Sequence, residues 1–353
     1  MSWVTELARP EILALEGYKF AEWEPELTRL HANELPWRPP GDDSHAGLNR
    51  YPEPQPKALI ERLAALYGVA KDRVLAARGS DEAIDVLVRA FCRAEFDAVL
   101  ICPPTFGMYA VAARIQGAAV DTVPLRAAEG FALDEEAVVR ACTSQVKIVF
   151  LCSPNNPTGN LLDPKAILGV ARALAGRALV VVDEAYIEFS GGESLARYVP
   201  RHSNLCVLRT LSKAHGLAGA RCGTLIADAE IVRLLKKVIP PYAIPQLTLE
   251  AALRLLEPSQ ISATGLRIAQ IRAERERIAA AVARLPGVLK VWSSAANFFL
   301  TQFADAGRAL ARAREAKLLV RDMRGHPELP GGVRVTVGTA SQNARLLRAW
   351  TTC

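Results

Sequence analysis

No stretch of this 353-residue chain approaches the ~20 consecutive apolar residues that a membrane-spanning helix needs, so no membrane partner is expected. No block of lysine and arginine occurs, and no basic segment is interleaved with aromatics, which argues against nucleic acid. Cysteine is present but unpatterned. Cys92, Cys102, Cys142, Cys152, Cys206, Cys222 and Cys353 are odd in number, none lie close together, and most sit in apolar runs. That spacing excludes a zinc knuckle and a disulfide framework, and it suits buried free thiols in a reducing compartment; no metal is expected. The opening residues, Met1-Ser2-Trp3-Val4-Thr5-Glu6, lack the basic-then-apolar order of a secretory signal. A cytoplasmic location is the expectation. Nor does a Gly-x-Gly-x-x-Gly follow an early strand, which disfavours a dinucleotide-binding dehydrogenase. Internal repeats and low-complexity segments are also missing.

What is present is apolar bulk and a modest basic excess. Half the residues are hydrophobic, enough for a sizeable core, and the length allows a large domain plus a smaller one, or two similar ones. The net charge of +6, from 43 basic and 37 acidic residues, is scattered along the chain. A site for phosphorylated or carboxylate ligands accounts for part of it; an arginine-rich proteome accounts for it equally well.

Three stretches follow from composition. Residues 1–35 mix apolar, acidic and aromatic residues and read as an N-terminal arm or a short helix. Residues 36–243 form a large domain. It opens with an irregular segment carrying Pro36, Pro39, Pro40, Pro52, Pro54 and Pro56, and a helix begins at Lys57 and stops at Gly68. Short apolar runs then alternate with helical patterns. The strand candidates are 97–102, 146–152, 178–182, 205–208 and 223–227, and the helix candidates include 81–93, 108–116 and 164–175. The runs are continuous rather than alternating, as in strands buried on both faces of a mostly parallel sheet covered by helices. After Pro240-Pro241 and Pro245 the texture changes. Residues 244–353 read as a smaller α/β domain with a charged helix over 266–285, Asn297-Phe298-Phe299-Leu300, a helix near 305–316, and Gly332 to Val337. In that last strand the valines alternate with Arg334 and Thr336, so one face is buried and the other presents the arginine.

In open parallel sheets, ligands sit beyond the carboxyl ends of the strands. Four polar motifs fall there. Pro103-Pro104-Thr105-Phe106 follows the first candidate strand, and Ser153 to Gly159 follows the second. Asp183-Glu184-Ala185-Tyr186 follows the third, and Thr210-Leu211-Ser212-Lys213 follows the fourth. Each motif alone has a plain alternative. A Ser-Lys pair is most often a solvated charge. Asp183-Glu184 could be a metal-ligand pair or a helix cap. Asn156-Pro157-Thr158-Gly159 could be only a turn, and Phe106 could be core. Arg78-Gly79-Ser80-Asp81-Glu82 could be only a helix start, or a phosphate could rest on its free N–H groups, with Asp81 and Glu82 turned away or bound to another group. Together, a lysine able to bond an aldehyde, an acid able to pair with a pyridinium nitrogen, and arginines able to take a phosphate are the groups needed to hold pyridoxal phosphate.

The ordered set Arg50-Tyr51-Pro52-Glu53, Arg78 to Glu82, Pro103 to Tyr109, Ser153 to Gly159, Asp183 to Phe189, Thr210 to Lys213 and Arg334 to Thr339 resembles the histidinol-phosphate aminotransferases. These are fold-type-I enzymes of pyridoxal 5′-phosphate, with a three-layer α/β/α large domain and a smaller C-terminal α/β domain. The resemblance runs from about His31 to Thr339. It implies that Lys213 carries the cofactor and moves the proton, that Asp183 pairs with the pyridine nitrogen, and that Asn156 and Tyr186 bond the ring hydroxyl. It further implies that Phe106 stacks on the ring and that Ser80, Asp81, Thr210, Ser212 and Arg221 bind the phosphate. Tyr51 would reach that phosphate from the partner subunit of a homodimer. Arg334, Tyr18 and Arg321 would bind substrate. The implied reaction moves an amino group between glutamate and imidazole-acetol phosphate, giving 2-oxoglutarate and histidinol phosphate, in histidine biosynthesis. Rival readings are an amino-acid-phosphate decarboxylase or an aromatic aminotransferase of the same fold, and a cofactor-binding relative without turnover. His215 departs from the family, which places an aromatic residue there; packing is the expected role. Residues 36–49 carry no motif that the resemblance can use.

Overall fold

Apolar runs of this length become strands where helices can cover both of their faces, and that is how the chain organises. The computed structural model describes residues 3–20, 24 and 27–351. Helices α1 (Trp3–Leu7) and α2 (Pro10–Ala14) come first, and residues 27–56 contain no helix or strand. Then follow α3 (Lys57–Tyr67), β1 (Val74–Ala77), α4 (Ser80–Phe91), β2 (Ala98–Ile101), α5 (Met108–Gln116), β3 (Ala119–Thr122) and α6 (Glu135–Ala141). Next are β4 (Val146–Cys152), α7 (Pro164–Ala173), β5 (Leu179–Asp183), β6 (Leu205–Thr210), β7 (Gly223–Ile226) and α8 (Ala229–Leu235). The remainder is α9 (Gln246–Leu255), α10 (Pro258–Val282), β8 (Val288–Val291), β9 (Phe298–Phe303), α11 (Ala306–Glu315), β10 (Arg321–Asp322), β11 (Gly332–Thr336) and α12 (Ala340–Trp350).

The first seven strands form one sheet in the order β1-β7-β6-β5-β4-β2-β3, and the last four form a second, β10-β11-β9-β8. From β3 to β6 every pairing is parallel; β7 runs antiparallel to both β6 and β1. The second sheet is antiparallel throughout. The architecture is α/β, mostly parallel, with a smaller second sheet.

Successive residues of the central strands feed opposite cores. Leu179 and Val181 enter one with Phe150, Leu208 and the apolar faces of α4 and α5. Val180 and Val182 enter the other with Val149, Val207 and α7. Burying each such side chain is worth roughly 1.5–3 kcal/mol, which explains why these strands contain almost no polar residues. The first helix is part of the same core: Val4, Leu7 and Ala8 are buried in it, so the N-terminal segment is anchored before the irregular stretch begins. In the second unit, Trp350 is fully buried and donates its indole N–H to Ala309 O at 2.9 Å.

Gly68 ends α3 in the left-handed conformation, φ 65°, and its N–H reaches the Ala64 and Ala65 carbonyls. The charged helix starts at Pro258 rather than 266, because proline's fixed φ suits the first helical turn. Residues 36–49 brace themselves. Asp42 accepts from Ser44 N–H, the Ser44 hydroxyl and Leu48 N–H, and Arg38 donates to the Ser44 and His45 carbonyls. Among the described residues no helix is long and apolar enough to cross a membrane, and the six described cysteines are buried and free; Cys353 lies outside the described residues.

Candidate active site

The parallel strands all end at one edge of the large sheet, and the first β7 residue, running the other way, begins there. A cleft opens at that edge, where ligands of open α/β sheets sit. Its wall is Ser80, Asp81, Phe106, Cys152, Asn156, Asp183, Ala185, Tyr186, Thr210, Ser212, Lys213 and Arg221. The cleft thus gathers the side chains singled out at the ends of β2, β4, β5 and β6. Cys152 and Ala185 were not among them; both are small residues at strand ends and carry no polar signal.

One end of the cleft is built for an anion. Helix α4 starts without a side-chain cap; its N-cap is Gly79 at φ 83°, leaving the first N–H groups free. Glu82 turns back and accepts from Arg78 N–H and Nε, both at 2.7 Å. Asp81 accepts from Arg221 Nη2 at 3.2 Å. Both acids therefore do what the sequence required of them. Arg221 itself sits at φ 56°, a conformation that a non-glycine residue holds only when its surroundings impose it, and it donates to Ser212 Oγ at 3.3 Å. Thr210 Oγ1 accepts from Ser212 N–H at 3.1 Å, which closes the loop.

Backbone packing makes this possible. A Cβ on Gly223 would fall 2.3–2.4 Å from Gly79 C and Ser80 N, and one on Gly79 would fall 2.5 Å from Arg221 Nη2. Gly223→Ala therefore pushes β7 off the α4 N-terminus. The expected loss is roughly 1–3 kcal/mol of stability, with weakened anion binding, and urea melts with and without phosphate check both.

At the opposite end lies Asp183, the last residue of β5 and 3% exposed. Its Oδ1 accepts from Ala185 N–H at 3.0 Å and its Oδ2 from the Tyr109 hydroxyl at 2.8 Å. Burial pushes its carboxyl up to about 6 against these two donors. It has no ion pair among the described residues, so the site holds an acid that a buried cation would complement. Tyr109 carried no role in the sequence reading; only its place in the Phe106 motif marked it.

Between the two ends stands Lys213. It makes no hydrogen bond or ion pair among the described residues, and its Nζ lies 5.7 Å from the centre of the Tyr186 ring. Tyr186 packs edge-on against Phe298 at 5.1 Å, and burial raises its phenol well above the ordinary range. Arg334 comes from β11. Its guanidinium lies 5.2 Å over the Phe298 ring and donates to Asn156 Oδ1, which leaves the Asn156 amide N–H groups for the cleft. Arg321 pairs with Arg334 across β10 and β11, so both arginines lie on one face of the small sheet.

Tyr18, Tyr51 and Arg321 do not line the cleft of their own chain. Tyr51 is half exposed and stacks on Tyr242 at 4.6 Å. Phe20 meets the same Tyr242 ring at 5.9 Å, and Tyr18 meets Phe20 at 5.6 Å. Tyr242, at φ 55°, thus brings together Phe20 of the arm and Tyr51 of the irregular segment; nothing in its Pro-Pro-Tyr context signalled this. His215 is buried with its Nε2 3.7 Å from Glu188 Oε1, and Glu188 accepts from Arg209 at 2.7 Å. It belongs to a charged cluster behind the lysine loop rather than to the cleft wall.

A family model described as aminotransferase class I and II matches residues 29–349. The chain is 47% identical over 351 residues to a histidinol-phosphate aminotransferase of Stenotrophomonas maltophilia (strain R551-3), covering 98% of this chain and 96% of that one. Among solved structures it is similar to the histidinol-phosphate aminotransferase of Sinorhizobium meliloti in complex with pyridoxal-5′-phosphate. That match has a TM-score of 0.77 and 24% identity and covers 86% of this chain and 83% of the other. It is also similar to an L-threonine-O-3-phosphate decarboxylase of Porphyromonas gingivalis, at TM-score 0.74 and 27% identity, with coverage of 86% and 93%. The fold alone therefore accommodates both chemistries.

Proposed function

The chain belongs to the class I and II aminotransferases, and from that premise we propose that it moves an amino group between glutamate and imidazole-acetol phosphate, using pyridoxal 5′-phosphate. The observation that carries this reading is the cleft itself. It has an uncapped helix end with Arg221 at one side, a buried acid lacking a cation at the other, and an unpaired lysine between. That donor set fits a phosphorylated pyridine aldehyde end to end.

When bound, the cofactor supplies an aldehyde that captures the substrate amine and a ring that takes up the charge left at Cα. The chain does the rest. Ser80 and Asp81 N–H groups, Thr210, Ser212 and Arg221 hold the phosphate. The Asp183 carboxylate would keep a ring nitrogen protonated, Asn156 Nδ2 and the Tyr186 hydroxyl would hold the ring oxygen, and Phe106 would cover the ring face. Lys213 Nζ would hold the cofactor's aldehyde and would be the base placed to move the proton at the substrate's Cα. Arg334 keeps donors free for the substrate's anionic end, and Arg321 and Tyr18 take the substrate phosphate.

The 47% identity to a histidinol-phosphate aminotransferase over nearly the whole chain favours this substrate over a decarboxylase. Incubating the purified protein with histidinol phosphate and 2-oxoglutarate should yield equal amounts of glutamate and imidazole-acetol phosphate. Release of carbon dioxide from threonine phosphate, without glutamate formation, points instead to the decarboxylase.

The active unit in this reading is a homodimer with shared sites, placed in the cytoplasm in keeping with the buried free thiols. Tyr51 stands outside its own cleft, and Leu27, Leu30, Leu35, Trp37 and Leu48 of the same irregular segment are exposed. A second copy would cover them and receive the Tyr51 hydroxyl at its phosphate. Tyr51→Phe then loses one hydrogen bond to an anion, about 1.5–3 kcal/mol, seen as faster cofactor loss on dialysis with an unchanged melt. Refolded mixtures of Tyr51→Ala and Lys213→Ala subunits should regain activity, since each heterodimer rebuilds one intact site. Heterodimers no more active than either parent refute the shared site.

A further inference from the structure

The Asp183 carboxylate is held from behind by a residue that does not line the cleft. Tyr109 lies on α5, and its side chain is fully buried. Its ring stacks on Phe150 at 4.8 Å and 2° and meets the edge of Phe106 at 5.6 Å and 83°. Two packed surfaces fix the ring, so the hydroxyl has one direction left, and it donates to Asp183 Oδ2 at 2.8 Å. With Ala185 N–H on the other oxygen, both donors favour the anion and fix the plane of the carboxylate. The remaining groups that face Asp183 are Cys152 from β4, Asp81 from α4, and Lys213 from the loop after β6, with Tyr186 beyond them. Asp81 opposes the anion and Lys213 supports it, both through space. Among the described residues, Tyr109 is thus the one side chain hydrogen-bonded to the acid.

We propose that Tyr109 is the positioning residue of this acid: it aims Asp183 into the cleft and holds it as the anion with which a ring nitrogen pairs. The proposal rests on the pyridoxal-phosphate reading of the cleft. Burial pushes the Tyr109 phenol well above its ordinary range, so it stays a donor through the neutral range. A protonated Asp183 cannot pair with a protonated ring nitrogen. Cofactor binding should therefore weaken as pH falls through the titration of the empty site's acid, at about 6. Without the tyrosine hydroxyl that titration moves up.

The test is equilibrium dialysis of pyridoxal phosphate against wild type and Tyr109→Phe, from about pH 5 to pH 8, the range that spans the raised carboxylate. The two should bind alike at the alkaline end, and the weakening of Tyr109→Phe should set in about one pH unit higher. Placing 3-fluorotyrosine at position 109 gives a stronger donor of almost the same size and should move the profile the other way; this arm decides the matter should Tyr109→Phe not fold. Superimposable profiles, or a variant weakened equally at every pH, overturn the proposal and leave Tyr109 a packing residue. Wild type with no saturable binding at any pH overturns the cofactor reading itself.

Discussion

Replacing Lys213 with alanine abolishes amino transfer, a loss of roughly 10,000-fold or more, while the protein still folds. Lys213 is exposed at the cleft and, among the described residues, contributes no hydrogen bond or ion pair to the fold. Its removal takes nothing from either core. What disappears is the one amine placed between the anion-binding end and Asp183. The cofactor remains bound through its phosphate contacts but without a covalent link. Borohydride treatment followed by peptide mapping checks this: wild type is labelled on the peptide carrying Lys213, and the variant is not. Label found on another peptide of the variant means that another lysine carries the cofactor.

Asp183→Asn lowers turnover by roughly 100- to 1,000-fold, the usual cost of losing a preorganised charge at a reacting centre, and lowers cofactor occupancy far less. The variant also reports on the empty site. In the folded protein the acid titrates at about 6, raised from 3.8 by burial. A raised carboxylate means that the folded state holds a proton which the unfolded chain has released. Stability of the empty protein therefore falls as pH rises from about 3.8 to about 6, and the deficit persists above it. Over that interval the linkage is on the order of 3 kcal/mol. Asparagine removes it, so the cofactor-free variant should melt higher than wild type at neutral pH, and bound cofactor should reverse that order. Equal turnover in variant and wild type reduces Asp183 to a structural strand end.

The walls of the cleft were legible in the sequence because the strands are buried on both faces. A run such as Ile148–Cys152 is apolar throughout, so the first polar residues after it mark the sheet edge, and Asn156 follows. The same logic located Asp183, Thr210 and Lys213. It did not find β1, whose Val-Leu-Ala-Ala run is short and half alanine, nor β3, an edge strand that is partly exposed. Arg221 reaches the cleft from just before an antiparallel strand, a position that strand-end reasoning cannot supply; its place eight residues after Lys213 and the family resemblance pointed to it. Tyr109 escaped because its ring packs like any core aromatic and only its hydroxyl is functional. Arg321, Tyr18 and Tyr51 belong to surfaces whose meaning depends on substrate or on a second copy, and neither is written in local periodicity.

The proposed function requires that one cleft hold pyridoxal phosphate on Lys213 and react with histidinol phosphate. The most direct measurement is the visible absorption spectrum of the purified protein, recorded before and after histidinol phosphate is added without any amino acceptor. A visible band is expected that is absent from Lys213→Ala treated alike, that shifts when histidinol phosphate is added, and that 2-oxoglutarate restores with formation of glutamate. A protein that shows no band after incubation with the cofactor, or a band that histidinol phosphate leaves untouched while another phosphorylated amine shifts it, contradicts the account.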